Sequence, residues 1–375
     1  MAWACRRAVG VIGGPITSMT TSATGRGYIG GGMREGGPFR VLFCGDDEFE
    51  LGYASTAEEL REETAAGRME VVRCARAEVA STLRRTPCHL AVPFMARFDR
   101  DTLAAGRPHL RCVMQFGVGL EGVDRGAAEA LGVRVANIPG DVADANATST
   151  AEMAVHLVLS LLRNTGAMKR AVASRQLGVP AGRSLQGKRV LIVGFGGVGQ
   201  RVAEMLTPFR CTLTAVRKRP WAADAALGPA DHLLAERGLA GAGDLVRMAG
   251  SADVVVLACV LDEESRGIVG KDFFGALKPG AVIVNVSRGG LVDYDALRNA
   301  LEANTLGGFA SDVAWDEPLD PADPLVALAE AQDLNVIFTP HVGGVTDVSY
   351  RQMARILADA ARNEQSAWLK EQPTT

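Results

Sequence analysis

The 375-residue chain is poor in aromatic residues, at 5%, and carries only five histidines and seven cysteines. So few rings leave no stacking platform for nucleic-acid bases. The cysteines, at positions 5, 44, 74, 88, 112, 211 and 259, are odd in number and scattered, with no C-x-x-C pair. Neither a disulfide framework nor a thiol redox motif is therefore expected, and a reducing compartment fits. The histidines, at 89, 109, 156, 232 and 341, lack ligand spacing, so no metal is expected. No apolar run reaches the roughly 18 residues of a membrane span. The stretch Leu157 to Leu162 is short, contains Ser160 and lies between His156 and Arg163. A net charge of −3 supplies no cationic footprint for a phosphate backbone. Neither nucleic acid nor membrane is an expected partner.

Acidic residues are missing altogether from positions 1 to 34, which contain Arg6, Arg7, Arg26, Arg34 and a Ser/Thr/Gly-rich centre from Thr17 to Gly32. That composition resembles an organelle transit peptide and would send the protein to a plastid or mitochondrion. The other reading is a non-functional extension, with translation starting at Met33 and a cytoplasmic protein. Residues 1–38 are set aside from the fold.

What is abundant is glycine, 43 residues, within a chain that is 47% hydrophobic and 22% charged. This is the composition of an α/β enzyme with tight turns and a substantial core, and the length suits two domains. From Phe39 onward, short apolar strands alternate with helical stretches: Arg40 to Cys44, Ser55 to Ala65, Met69 to Cys74, His89 to Phe94 and Leu110 to Phe116. Alternation of this kind predicts βαβ units and parallel sheets. Residues 149–163 read as a buried helix opened by a capping box of Ser149 and Glu152, and a domain boundary is expected near it. A second βαβ series follows from Lys188.

In that series the strand Arg189 to Val193 runs into Gly194-Phe-Gly196-Gly197-Val198-Gly199 and then a helix to Leu206. Between strand and helix, G-x-G-x-x-G is a dinucleotide fingerprint. The first glycine permits the turn, the second lets backbone amides approach a pyrophosphate, and the third lets helix and strand pack closely. About 20 residues on, where a ribose-binding acid is expected, the strand Thr212 to Val216 ends instead in Arg217-Lys218-Arg219. Three cations suit a 2′-phosphate, so NADP(H) is favoured over NAD(H).

Later strands, Val254 to Cys259 and Ala281 to Val286, precede three segments rich in chemistry: Asn285 to Asp293, Gly308 to Pro318, and Thr339 to Gly344. Strand C-terminal ends would bring them together. His341 is a candidate proton donor and Glu317 the carboxylate to orient its ring. Arg288 offers a planar fork for a keto-acid carboxylate. Trp315 could narrow the cleft or pack into the core. Arg97, at the end of a strand, could add a second cation for substrate or lie idle at the surface.

These segments, together with Gly117-Val118-Gly119 and Asp124, resemble the D-isomer-specific 2-hydroxyacid dehydrogenase family, which includes glyoxylate/hydroxypyruvate reductases, phosphoglycerate dehydrogenases and formate dehydrogenases. The resemblance implies two Rossmann-like domains of doubly wound parallel sheet with the active site in the cleft between them. The substrate domain would be residues 39–148 plus 345–375, completed by a C-terminal helix from Tyr350 to Leu369. The dinucleotide domain would be residues 149–344. Arg288 would bind carboxylate and keto oxygen, His341 would be the acid/base and Glu317 its partner. The backbone amides of Val118 and Gly119 would hold the carboxylate from the other domain. Asp312 would contact the nicotinamide carboxamide, with Cys259, Val286 and Gly343 also lining the cofactor. Homodimers are usual in the family. Ala258-Cys259-Val260 stands where many members have His-x-Pro, and Glu317 where formate dehydrogenases have Gln, which argues against that activity. The implied reaction is hydride transfer between a nicotinamide cofactor and a small 2-keto acid such as glyoxylate or hydroxypyruvate. Phosphoglycerate dehydrogenase activity, or a dinucleotide-sensing corepressor on the same fold, are the alternatives.

Overall fold

The computed structural model describes residues 37–46, 49–140, 142–221, 229–240 and 243–372; all but the last two positions of the 1–38 leader lie outside them. The first lobe runs β1 (Phe39–Cys44), α1 (Glu50–Glu59), α2 (Arg61–Ala65), β2 (Met69–Cys74), α3 (Val79–Arg85), β3 (Leu90–Pro93), α4 (Arg100–Ala105), β4 (Cys112–Gln115), α5 (Arg125–Ala130) and β5 (Arg134–Asn137). Its five parallel strands are ordered β2-β1-β3-β4-β5. Helices α6 (Asp144–Arg163) and α7 (Thr165–Ala173) then lead to the second lobe.

That lobe runs β6 (Arg189–Val193), α8 (Gly197–Leu206), β7 (Thr212–Arg217), β8 (Glu236–Leu239), α9 (Asp244–Ala249), β9 (Val254–Leu257), α10 (Lys271–Ala276), β10 (Val282–Asn285), α11 (Tyr294–Glu302), β11 (Gly308–Ser311), α12 (Pro324–Ala331) and β12 (Val336–Phe338). A last helix, α13 (Asp347–Glu371), closes the described chain. The seven strands are ordered β12-β11-β10-β9-β6-β7-β8. Strands β9 and β10 are buried at every position, as continuous Val/Ile/Leu runs covered on both faces should be. The chain reverses its direction of winding between β6 and β9, which lie side by side with Val193 opposite Leu257. A ligand crevice belongs at that switch point, beyond the strand C-terminal ends.

Helix α6 is longer than its sequence suggests. It starts at Asp144, so Ser149 is interior and no capping box exists; the Ser149 hydroxyl donates back to the Ala145 carbonyl at 2.8 Å. The true N-terminus is held from elsewhere, by the Gln352 side chain accepting from the Ala145 N–H at 2.9 Å. The apolar stripe Ala151, Ala154, Leu157, Val158, Leu161 and Leu162 is spaced for one helix face and joins the second-lobe core.

Helix α13 returns to the first lobe. Tyr350, Met353, Leu357, Ala358 and Ala361 are buried with Phe39, Val41, Phe43 and Leu90. Each such large apolar side chain contributes roughly 1.5–3 kcal/mol on full burial. Around this seam Arg111 meets Glu371 at 2.6 Å, Arg362 meets Glu63 at 2.7 Å, and Arg134 pairs with Glu364. Trp368 lies 4.8 Å from the His89 ring, which stacks on Phe39 at 4.9 Å.

Candidate active site

The glycine loop follows β6 directly. Gly194 has φ +96°, and any side chain there would come within 2.5 Å of the Cys259 backbone, so the ends of β6 and β9 touch at this residue. Gly199 backs onto the Gly194 carbonyl so closely that a Cβ would collide with it. Gly196, in contrast, opens onto space, and with Gly197 it is exposed at the N-terminus of α8. Val198 is half-buried behind them. The loop thus offers an open glycine face at a helix N-terminus, which fits a pyrophosphate.

Strand β7 ends beside that loop, the Gly194 N–H donating to the Val216 carbonyl at 2.8 Å. The next residue, Arg217, lays its guanidinium 4.1 Å above the Trp221 ring and donates to the Arg219 and Pro220 carbonyls at 3.0 and 2.6 Å. Lys218 sits between Asp262 at 3.0 Å and Glu264 at 2.8 Å, and this ammonium holds the Asp262 carboxyl down to about 2. Arg219 is exposed. The basic turn is therefore real, but one of its cations is already neutralised by the loop after β9. Nothing in the sequence spacing pairs positions 218 and 262.

At the end of β10, the buried Asn285 shapes a tight turn: its Oδ1 accepts from the Ser287 N–H at 3.0 Å and its Nδ2 donates to the Arg288 carbonyl at 2.8 Å. The Ser287 hydroxyl donates to the Cys259 carbonyl. The Cys259 thiol is pushed up to about 11 by burial, and so stays protonated near neutrality. The Val286 side chain is buried in the second-lobe core. Gly289 lies so close to Ala314 that any side chain would overlap it, and this contact brings the Arg288 turn against the loop that carries Glu317.

His341 Nδ1 lies 2.9 Å from Glu317 Oε2, while Glu317 Oε1 accepts from the Ala314 N–H at 3.0 Å. Burial alone would raise the Glu317 carboxyl; the hydrogen bond and charge of His341, the Ala314 amide and Arg288 outweigh it and hold the group below its ordinary value. An ionised carboxylate at that distance places a proton on Nδ1 and leaves Nε2 as the ring atom able to exchange a proton with a ligand. His341 has φ +56°, a left-handed conformation uncommon for a residue with a side chain. Asp312 holds it there. Its Oδ1 accepts from Thr339 Oγ1 at 2.6 Å and the Val342 N–H at 2.9 Å, and its Oδ2 from the Gly343 N–H at 2.7 Å.

Asp312 is 2% exposed, and both of its oxygens are engaged by the histidine loop. Trp315 is half-buried against the second-lobe core, its Nε1–H donating to the Val292 carbonyl at 2.7 Å and its ring edge-on to Tyr294.

From the first lobe, the loop after β4 presents Val118, 40% exposed, with its carbonyl bound by Asn137 Nδ2 at 2.7 Å. Gly119 faces Arg288 Nη2 so tightly that a Cβ would collide with it. Glu121, unremarked in the sequence, reaches across to Arg288 Nε at 3.3 Å. An acidic residue just past a glycine turn was the only signal available for it. Arg97 is exposed between β3 and α4; among the described residues it makes no hydrogen bond or ion pair with Arg288, Glu317 or His341.

A glycine loop fit for a dinucleotide and an Arg/His/Glu cluster, both following strand ends of the seven-stranded sheet, are the parts of a nicotinamide-dependent oxidoreductase. The family model "D-isomer specific 2-hydroxyacid dehydrogenase, NAD binding domain" matches residues 155–343. The chain is 30% identical over 274 residues to the glyoxylate reductase/hydroxypyruvate reductase of Mus musculus, covering 70% of this chain and 76% of the mouse protein. It is 29% identical over 277 residues to the D-3-phosphoglycerate dehydrogenase of Archaeoglobus fulgidus, covering 72% of this chain but 48% of that protein. The solved structure of D-lactate dehydrogenase from Escherichia coli shares the fold, with a TM-score of 0.70 at 22% identity over 88% of this chain and 98% of that one. The chain belongs to the D-isomer specific 2-hydroxyacid dehydrogenase family.

Proposed function

We propose that the protein reduces a small 2-keto acid of the glyoxylate or hydroxypyruvate kind to the D-2-hydroxy acid, using NADPH in preference to NADH. The carrying observation is the His341–Glu317 pair at 2.9 Å, with Arg288 near enough for its charge to act on Glu317. Arg288 binds the carboxylate and orients the keto group, assisted by the Val118 and Gly119 amides. The Gly194 to Gly199 loop would hold the dinucleotide, whose nicotinamide would supply a hydride when bound. His341 Nε2 is the atom placed to give a proton to the keto oxygen, and Glu317 Oε2 holds the ring by its Nδ1.

Support for NADPH comes from Arg217, braced on Trp221 at the position of the ribose-binding acid, with Arg219 exposed beside it. Asp312 serves as a brace for the His341 loop as well as a cofactor neighbour. Residues 39–148 with 345–375 form the substrate domain and 149–344 the dinucleotide domain, α13 returning to complete the former. The working unit is a homodimer, targeted to an organelle if the leader is a transit peptide.

Initial rates with NADPH and NADH against glyoxylate, hydroxypyruvate and pyruvate test this reading. Faster turnover with NADPH is expected. Faster turnover with NADH would remove the role given to Arg217 and Arg219. Binding of dinucleotide without turnover of any keto acid would favour a sensor.

A further inference from the structure

The Glu121–Arg288 pair is out of place for a site that has only to bind an anion. Arg288 is the fork for the substrate carboxylate, yet its Nε–H is turned to Glu121 Oε1 at 3.3 Å and an Nη1–H to the Ser287 carbonyl at 2.8 Å. Its Nη2 packs against Gly119 together with Glu121 Oε2, where a Cβ would collide with both, so a carboxylate that reaches this guanidinium comes up beside the Glu121 carboxylate. Glu121 is attached to the first lobe, through the loop after β4, and Arg288 to the second, so this fixed negative charge stands in the cleft between them. Its side chain is 47% exposed, so a ligand entering beside Arg288 meets it.

We propose that Glu121 sets a charge limit on the substrate: acids with a single negative charge are accepted, and acids carrying a second anionic group, a phosphate or another carboxylate, are rejected. This rests on the 2-keto acid reading above and narrows its substrate class. Once a keto acid is bound, Arg288 faces two anions, Glu121 and the substrate, while His341 is paired with Glu317, and a third anion finds no compensating charge among these groups. Discrimination of this kind works by repulsion of the wrong ligand rather than by added attraction for the right one.

The test compares wild type with Glu121→Gln, which keeps the size and an acceptor for Arg288 Nε but removes the charge. Calorimetry in the presence of NADPH measures oxamate, with one negative charge, and oxalate, of nearly the same shape with two. Rates with pyruvate and oxaloacetate are measured alongside. Wild type is expected to prefer the singly charged member of each pair, and the variant to narrow that preference by about tenfold, the scale of a single partly screened charge contact. Added salt narrows it in wild type and not in the variant. An equal preference in both proteins would overturn the charge limit while leaving the dehydrogenase reading intact. Oxamate binding with the expected discrimination, but no turnover of any keto acid, would support the charge limit and sink the reductase. If neither anion binds, Arg288 is not a carboxylate site, and both fall.

Discussion

Asp312 and Gly343 are joined by a 2.7 Å hydrogen bond from the Gly343 N–H to the buried Asp312 Oδ2, and this bond pins the left-handed turn on which His341 stands. Replacing Asp312 with Asn would set an NH2 group against backbone donors that now point at oxygen. A hydrogen bond to a charged group contributes roughly 1.5–3 kcal/mol, so Asp312→Asn is expected to lower kcat about 10- to 100-fold. Stopped-flow rates read this, with dinucleotide affinity measured separately; an unchanged kcat would show that the loop holds its shape without Asp312.

The glycines of the Gly194 loop should separate folding from binding. Gly196 has nothing within 4 Å of an added Cβ, whereas at Gly199 the Cβ would strike the Gly194 carbonyl. Gly196→Val is therefore expected to keep the melting temperature within a few degrees while weakening dinucleotide binding about tenfold, the cost of a side chain where backbone must approach a pyrophosphate. Gly199→Val should lower the melting temperature itself. Equal melting losses in the two variants would contradict the open face assigned to Gly196.

Arg217 gives a sharper handle on cofactor choice than its neighbours, because Lys218 is already held by Asp262 and Glu264. Arg217→Asp should lower kcat/KM for NADPH by about tenfold or more, the scale of one charge-assisted hydrogen bond, and leave NADH less affected. Lys218→Ala should do much less. The comparison is decided by the ratio of the two cofactors' kcat/KM values.

His89 predicts an acid limit to stability. Burial, then the charges of His109, Arg40 and Arg111, push this imidazole from 6.5 down to about 4, and its Nδ1 accepts the Arg40 N–H at 2.9 Å. A depressed histidine binds its proton more readily in the unfolded chain, so its neutral form favours the fold fully above pH 6.5, and that contribution is lost as pH falls toward 4. At about 1.4 kcal/mol per pH unit, the loss over that window is on the order of 3 kcal/mol. Urea unfolding at pH 7.5 and pH 5 should show about 2 kcal/mol of this loss in wild type, with a flatter dependence in His89→Gln.

The glycine loop and the alternation of strands were legible because each is a local demand. A pyrophosphate needs adjacent backbone amides, and a strand covered on both faces needs a continuous apolar run, so the residues responsible are contiguous. The capping box at Ser149 misled for the same reason: the pattern is local, whereas α6 begins at Asp144 under a hydrogen bond from Ala145 to Gln352, 207 residues away. Trp315 could not be placed from its neighbours, since its indole is satisfied by the Val292 carbonyl across the core.

By itself the sequence determined the parallel α/β architecture, the dinucleotide loop, the basic turn at Arg217 and the candidacy of Arg288, Glu317 and His341. Only the tertiary structure decided which charges compensate which. Lys218 answers to Asp262, Asp312 to the Gly343 amide, and Arg288 to Glu121 from the opposite lobe, 167 residues away. Electrostatic partners are chosen by distance in space, and in a doubly wound fold that distance is set by where the strand ends converge.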